Sequence, residues 1–357
     1  MGRIVTQDKL NELTGQSIDY GKGGGYCPYY DLLISRWGNV VKQPNNYRSD
    51  QLVKEEDIVV NTDLFLINTK TGRLYFAGGG TYAQVPAIDG HEDFMYIAGE
   101  GEAVGALSTA GGLYVMNQST KQWELKYKDT ARTYGYSHLA RFSTGWVFYK
   151  GVVGDGKNYI IIVYDNGTTK ELSVISNVYS ISTGAYDYCC VGTSYQGGAR
   201  IYTFSATSVP DSLTYYTPGM FTPNAVIQGF FREPRSVVYC TTSNYTYFSA
   251  NPAGTQWTAA TTRPQLTSLT KGLYTFDAFV LIGGNMQSTS LDGNNWTTST
   301  LGEYAITDLI YIKSNYYAIG INGTKRFLLH NTASTFDQSN KILDLPDYSR
   351  QVIKINV

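Results

Sequence analysis

Residues 308–331 read DLIYIKSNYYAIGINGTKRFLLHN. Three short apolar runs, DLIYI, YYAIGI and KRFLLHN, are separated by turn-forming residues. Asn322-Gly323 is a two-residue hairpin signal of type I′, in which both central residues take positive φ. Four adjacent positions, Leu309 to Ile312, are apolar. Neighbouring side chains on a strand point to opposite faces, so both faces of this sheet must be covered. In a two-sheet sandwich each sheet keeps one wet face and its strands alternate. In a parallel α/β fold helices cover both faces, but no convincing helical period is found beyond about residue 57. Blades arranged radially, each hiding its neighbours' faces, satisfy the pattern. The expected fold is all-β, a β-propeller of four-stranded antiparallel blades.

The segment NYIIIVYDNGTTKEL (158–172) repeats the theme, with Ile160 to Val163 apolar throughout and a second Asn-Gly at 166–167. Other hairpins end on a bulky residue at related spacing. LYVMNQSTKQW ends at Trp123, YFSANPAGTQW at Trp257, and STSLDGNNWTTST (288–300) carries Asp292 and Trp296. Weaker copies end at Tyr75, Leu172, Leu213 and Phe336. Successive anchors are 39 to 49 residues apart, the period of a four-stranded blade. Six complete units span about 86–346. Residues 57–85 read as half a unit and RQVIKINV (350–357) as a lone strand. Pairing the two in one composite blade would close the ring and protect its edges. This count favours seven blades, with six as the alternative.

The chain has 357 residues and a formal net charge of −1, and 16% of its residues are charged. Such a balance implies no general attraction to nucleic acid or to an anionic membrane, and no run is long and apolar enough to insert in one. With 31 tyrosines and 37 glycines, the composition suits turn-rich β structure. The cysteines, Cys27, Cys189, Cys190 and Cys240, form no ligand-spaced cluster, and His91, His138 and His330 stand far apart. No metal or cofactor is expected, and the thiols read as reduced and mostly buried. The first residues, MGRIVTQDKLNELTG, lack an apolar signal core, so synthesis in the cytoplasm is expected. Asn117, Asn166, Asn244 and Asn322 in Asn-x-Ser/Thr triplets are then turn residues rather than glycan acceptors.

Two domains are expected, an arm over residues 1–57 and a propeller over 58–357. The arm opens with a short helix capped by Thr6 and stopped by Gly15. A Gly-rich extended stretch follows, with aromatic anchors at Tyr26, Tyr29, Tyr30 and Trp37.

Catalytic signals are absent: no GxSxG, HExxH, phosphate-binding or dinucleotide fingerprint occurs. Glu100 and Glu102 would share one face of a strand, but they sit in the glycine-rich GEGEAVG, a polar turn. Arg141, Arg200, Arg232, Arg235 and Arg263 could receive a carboxylate only if the fold gathered them. The tyrosine pairs Tyr215-Tyr216, Tyr245/Tyr247 and Tyr316-Tyr317 are candidates for a binding rim, because tyrosine gives large contact area at low entropy cost.

The segment SLDGNNW resembles a degenerate Asp-box, the hairpin motif of sialidase-like propellers. That motif spaces its residues as Ser-x-Asp-x-Gly-x-x-Trp, whereas here Asp292 and Gly293 are adjacent. Even when intact the motif implies a structural role, with its Asp binding turn N–H groups and its Trp packed beneath. The arm carries a second resemblance. GYCPYYDLL (25–33) and NNYRSDQLVKEEDIVV (45–60) are similar to the leader of virion proteins from crAss-like phages of gut bacteria. Cys27, Pro28 and Tyr30 fit the first element of that leader. Tyr47, Gln51, Leu52, Val53, Asp57 and Ile58 fit the second.

This resemblance implies a non-enzymatic tail, tail-fibre or collar component of a symmetric multi-subunit virion. Its arm, with Tyr26, Cys27, Pro28, Tyr29, Tyr30, Tyr47, Gln51, Leu52 and Val53 as candidate contacts, would dock to other virion proteins. The propeller would present a rim to host-surface glycan or protein. The alternatives are a propeller glycosidase or lyase acting on surface polysaccharide, and a free carbohydrate-binding propeller.

Overall fold

The structure is a computed structural model. It describes residues 63–355 apart from position 92 and the stretches 101–102, 118–119, 130–133, 153–157, 175–176, 184–187, 196–197, 206–207, 210–212, 214, 218–222, 230–235, 242–245, 250–256 and 276–277. The arm and all of its docking candidates therefore lie outside the described residues.

The described strands form seven four-stranded antiparallel sheets, the blades of a propeller. Blade 1 is composite. Its strand Ser349–Lys354 pairs with Phe65–Thr69, which pairs with Leu74–Gly78, which pairs with Thr81–Gln84. Blades 2 to 7 are contiguous and span 94–128, 134–174, 178–216, 223–259, 271–300 and 305–345. Their first strands lie side by side in chain order around the axis: Phe94–Glu100, Tyr134–Phe142, Val178–Thr183, Pro223–Gly229, Lys271–Thr275 and Ala305–Ile312. Ser349–Lys354 fills the gap between the last and the first. The closing composite blade is thus as expected, but the N-terminal segment supplies three of its strands rather than half.

Core residues sit between blades. Ile160 and Ile162 pack towards blade 4 with Val178, Cys189 and Val191. Ile161 and Val163 pack towards blade 2 with Leu107 and Leu113. All four side chains of this run are buried, which is what two covered faces require. Similar clusters join every neighbouring pair, ending with Phe65, Ile67 and Val352 of blade 1 against Tyr317, Ile319 and Leu328 of blade 7. The adjacent Cys189 and Cys190 follow the same alternation. Both are buried thiols outside any disulfide, and Cys189 faces blade 3 while Cys190 packs near Tyr247 and Trp257 of blade 5.

One seam depends on a missing side chain. Trp146 of blade 3 is buried against Gly105 of blade 2, where a Cβ would lie 2.6 Å from its Cζ3. Gly105→Ala is expected to destabilise the fold by about 1–3 kcal/mol, because neither backbone nor indole has room to move. Urea unfolding of Gly105→Ala, with Gly135→Ala as a control where no atom lies within 4 Å of the added Cβ, would check this.

The two Asn-Gly turns differ from expectation. Asn322 is paired with Lys325, so Gly323 (φ 61°) is the first central residue of its hairpin loop, the place glycine takes in a type II′ turn. Around Asn166 the Gly167 N–H donates to the Tyr164 carbonyl at 2.9 Å, and Gly167 has φ 86°. That is a type I turn followed by a left-handed glycine. Two positive-φ residues in succession occur instead at Gly79 (55°) and Gly80 (81°), between Leu74–Gly78 and Thr81–Gln84, and at Lys313 (48°) and Ser314 (63°), which join Ala305–Ile312 to Asn315–Asn322.

Candidate functional site: the central channel

The inner strands enclose a channel of about 750 Å³, lined by residues of blades 1, 2, 3, 4, 6 and 7 among those described. Inner strands have one edge without a strand partner, so their backbone groups need other partners. Side chains from neighbouring blades supply several. Arg350 of blade 1 donates to the Met95 carbonyl of blade 2. Gln351 accepts from the Ile97 N–H at 3.3 Å and from Asn68 Nδ2 at 3.0 Å. Thr183 Oγ1 of blade 4 donates to the Arg141 carbonyl of blade 3 at 2.6 Å. Asp308 of blade 7 accepts from the Val352 N–H of blade 1 at 2.8 Å and is ion-paired with Lys271 of blade 6.

Beta-bulges create some of these bonds. The inner strands of blades 1, 2, 3, 4, 5 and 7 shift register against their neighbours, between Ser349/Gln351 (opposite Asn68/Thr69), Phe94/Tyr96, Ser137/Ala140, Val178/Ser180, Pro223/Ala225 and Ile306/Asp308, so Arg350 itself stands out of the ladder. A bulge leaves one residue out of the ladder and re-aims its neighbours. Met95 is such a residue, and its carbonyl takes Arg350. His138 lies in the blade 3 bulge with φ 57°.

His138 stacks on Tyr96 of blade 2 at 5.4 Å and 28°, and the Arg350 guanidinium lies over the Tyr96 ring at 5.7 Å. The His138 Nδ1 and Ser137 Oγ are 2.7 Å apart. Burial lowers the His138 pKa to about 4, against a weaker opposing effect of a hydrogen bond to the Tyr179 backbone. The ring is therefore neutral at neutral pH. The unfolded ring titrates near 6.5, so between pH 6.5 and 4 the unfolded chain binds the extra proton. The stability present at pH 7 is thus lost as pH falls through that window, by up to ~3 kcal/mol for this one group. Urea unfolding across that range should show the slope in the wild type and a flatter one in His138→Phe, which keeps a stacking ring and cannot charge.

The charged lining is unequal. Arg141, Lys271 and Arg350 face one carboxylate, Asp308, among the described channel residues. Arg141 forms a two-pronged pair with Asp165 at 2.6 and 2.7 Å, and Lys271 is held by Asp308. Arg350 is half-buried and has no carboxylate partner among the described residues. Burial lowers its pKa, partly offset by Tyr96. Tyr179, 42% exposed, also lines the cavity, together with Ser180, Ser182, Thr183, Thr270 and Thr307.

The arginines proposed from sequence do not converge. Arg141 lines the channel, Arg200 lies over Tyr215 in the outer half of blade 4, and Arg263 is exposed in the segment leading to blade 6. Arg232, Arg235 and Glu102 lie outside the described residues. Glu100 ends an inner strand opposite Ala103. Arg350 was not singled out, since nothing in RQVIKINV separates a channel cation from an ordinary edge residue. The tyrosine pairs divide. Tyr317 is buried between Phe65 and His330, Tyr247 packs in the seam between blades 4 and 5, and Tyr215 is exposed. Tyr316-Tyr317 therefore belongs to a middle strand rather than a rim.

The anchors take structural positions. Trp123 opens the outer strand Trp123–Lys128, Leu172 lies within Thr169–Val174, and Trp257 and Trp296 immediately precede outer strands. Leu213 and Phe336 sit in the connections to outer strands, whereas Tyr75 lies one strand earlier. At the degenerate Asp-box, Asp292 accepts from the Asn294 N–H at 2.8 Å and the Asn295 N–H at 2.9 Å. The buried Trp296 donates from Nε1 to the Gly293 carbonyl at 3.0 Å. Burial opposes the charge of Asp292, but the bonds from Asn295, Asn294 and Ser290 outweigh it and lower its pKa.

No protein-family model matches the chain, and no curated protein matches it. Solved structures share its fold. A protein from Lactobacillus plantarum aligns with a TM-score of 0.56 at 11% identity, covering 82% of this chain and 99% of that one. The computationally designed Ika8 protein aligns with a TM-score of 0.53 at 13% identity, covering 82% and 93%. YCF48, solved bound to a D1 peptide, aligns at 0.49 and 10% identity over 75% and 84%. At these identities the likeness concerns the fold alone.

Proposed function

We propose that the chain is a non-enzymatic component of a phage virion, in the tail, tail fibre or collar. Its arm docks to other virion subunits and its propeller presents a binding face to glycan or protein at the host surface. The arm's similarity to crAss-like virion leaders supports the setting. The observation that carries the binding role is the state of the channel's ionisable groups. Asp308 is committed to Lys271 and to the backbone of blade 1. His138 is neutral and bonded to Ser137 and Tyr179. Hydrolysis by paired carboxylates needs two acids facing one pocket, and the described lining offers one.

Deleting residues 1–57 should leave a folded propeller that is missing from purified particles by mass spectrometry. Truncated protein in particles at wild-type copy number would refute the docking role. Release of reducing ends from capsule or mucin glycans by the purified protein would replace binding with hydrolysis.

A further inference from the structure

We propose that the central channel is a binding site for a carboxylate-bearing sugar, with Arg350 as its anion contact. The proposal deepens the binding role given above to the propeller and is independent of the arm.

The argument begins with charge. The chain as a whole carries −1, yet its described channel lining carries three cations against one carboxylate. Two of the cations are spoken for by Asp165 and Asp308. Arg350 is not. A half-buried guanidinium that holds only one carbonyl and an aromatic face lacks the counter-charge that a desolvated cation ordinarily has. Low-dielectric walls of one sign focus the field along the cavity and draw in an anion. The bond to Met95 and the Tyr96 ring fix the plane of the guanidinium, leaving further N–H groups for an acceptor. A planar carboxylate is the natural match to that fork.

Size and lining narrow the class. About 750 Å³ is the range of small-molecule sites. Thr183 and Thr307 spend their hydroxyl protons on the Arg141 and Ile319 carbonyls and keep oxygen lone pairs that can accept from a ligand's hydroxyls, and Tyr179 offers an exposed aromatic body with a polar tip. A hydroxyl-rich ring bearing one carboxylate satisfies all three features. An acidic peptide side chain would use Arg350 but leave the hydroxyl wall unemployed.

The test compares glucuronate with glucose, which differ only at the carboxylate, by titration calorimetry on the full chain. Saturable glucuronate binding with Kd of about 1 mM or tighter, and glucose at least about tenfold weaker, is the expected result. Arg350→Gln should weaken glucuronate about tenfold or more and leave glucose unchanged, whereas Arg350→Lys should retain part of the affinity. Equal binding of the two sugars, or no saturable binding of glucuronate by the wild type, overturns the proposal without recourse to a variant. N-acetylglutamate binding as tightly as glucuronate overturns the choice of a sugar. None of these outcomes touches entry into particles, so the arm's role stands or falls separately.

Discussion

A chain ending at Leu345 will lose most of its folding free energy. The truncation removes Ser349–Lys354, the inner strand of blade 1, with which Phe65–Thr69 pairs on its inner side. Val352, Ile353 and Ile355 are buried at 1%, 7% and 1% exposure. Burying each such side chain contributes about 1.5–3 kcal/mol, so the three together approach the ~5–15 kcal/mol by which whole domains are stable. The truncation also removes Arg350 from Met95, Gln351 from Ile97 and the Val352 N–H from Asp308, opening both seams of the composite blade. Urea unfolding followed by tryptophan fluorescence should show an early, broad transition. A synthetic peptide of residues 346–357 added in trans should move it back. A truncated chain with the full-length midpoint would mean that the ring does not need this strand.

The second large effect is expected from Asp308→Ala. Asp308 is 5% exposed and joins three inner strands, since its carboxylate takes Lys271, the Val352 N–H and the Leu309 N–H. Removing it leaves a backbone donor and a cation without their partner. Breaking a buried pair costs about 3–5 kcal/mol, and Lys271 is exposed enough to regain water, so the low end, ~3 kcal/mol, is expected. Asp308→Asn keeps an acceptor for Val352 and should recover about 1 kcal/mol. In a cycle with Lys271→Met, the double variant should lose less than the sum of the singles. Strict additivity would show that the two side chains do not interact.

The blades were legible because their evidence is periodic. Ile160 to Val163 could only be apolar throughout if both faces were covered, and the anchors recurred at blade spacing. The degenerate Asp-box was also legible: the missing residue between Asp292 and Gly293 leaves its turn bonds and its buried tryptophan in place. The channel was not. Reading which inner-strand residues face the axis requires strict alternation, and six inner strands break alternation with a bulge. No residue type marks those bulges. Met95, His138 and Tyr179 have nothing in common as side chains, and the bond made by Met95 is made by its carbonyl. The turns failed for a related reason. Asn-Gly states that a positive φ is available, but the strand register decides whether the glycine is the first central residue, as at Gly323, or closes the turn, as at Gly167.

The adjacent cysteines of blade 4 have a practical consequence. Because Cys189 and Cys190 look into different seams, a thiol reagent reaches each only when the corresponding wedge parts from its neighbour. With Cys27 and Cys240 also replaced, single serine replacements therefore yield two chromophore-ready gauges, one residue apart, whose labelling rates separately time the breathing of blade 4 against blade 3 and against blade 5.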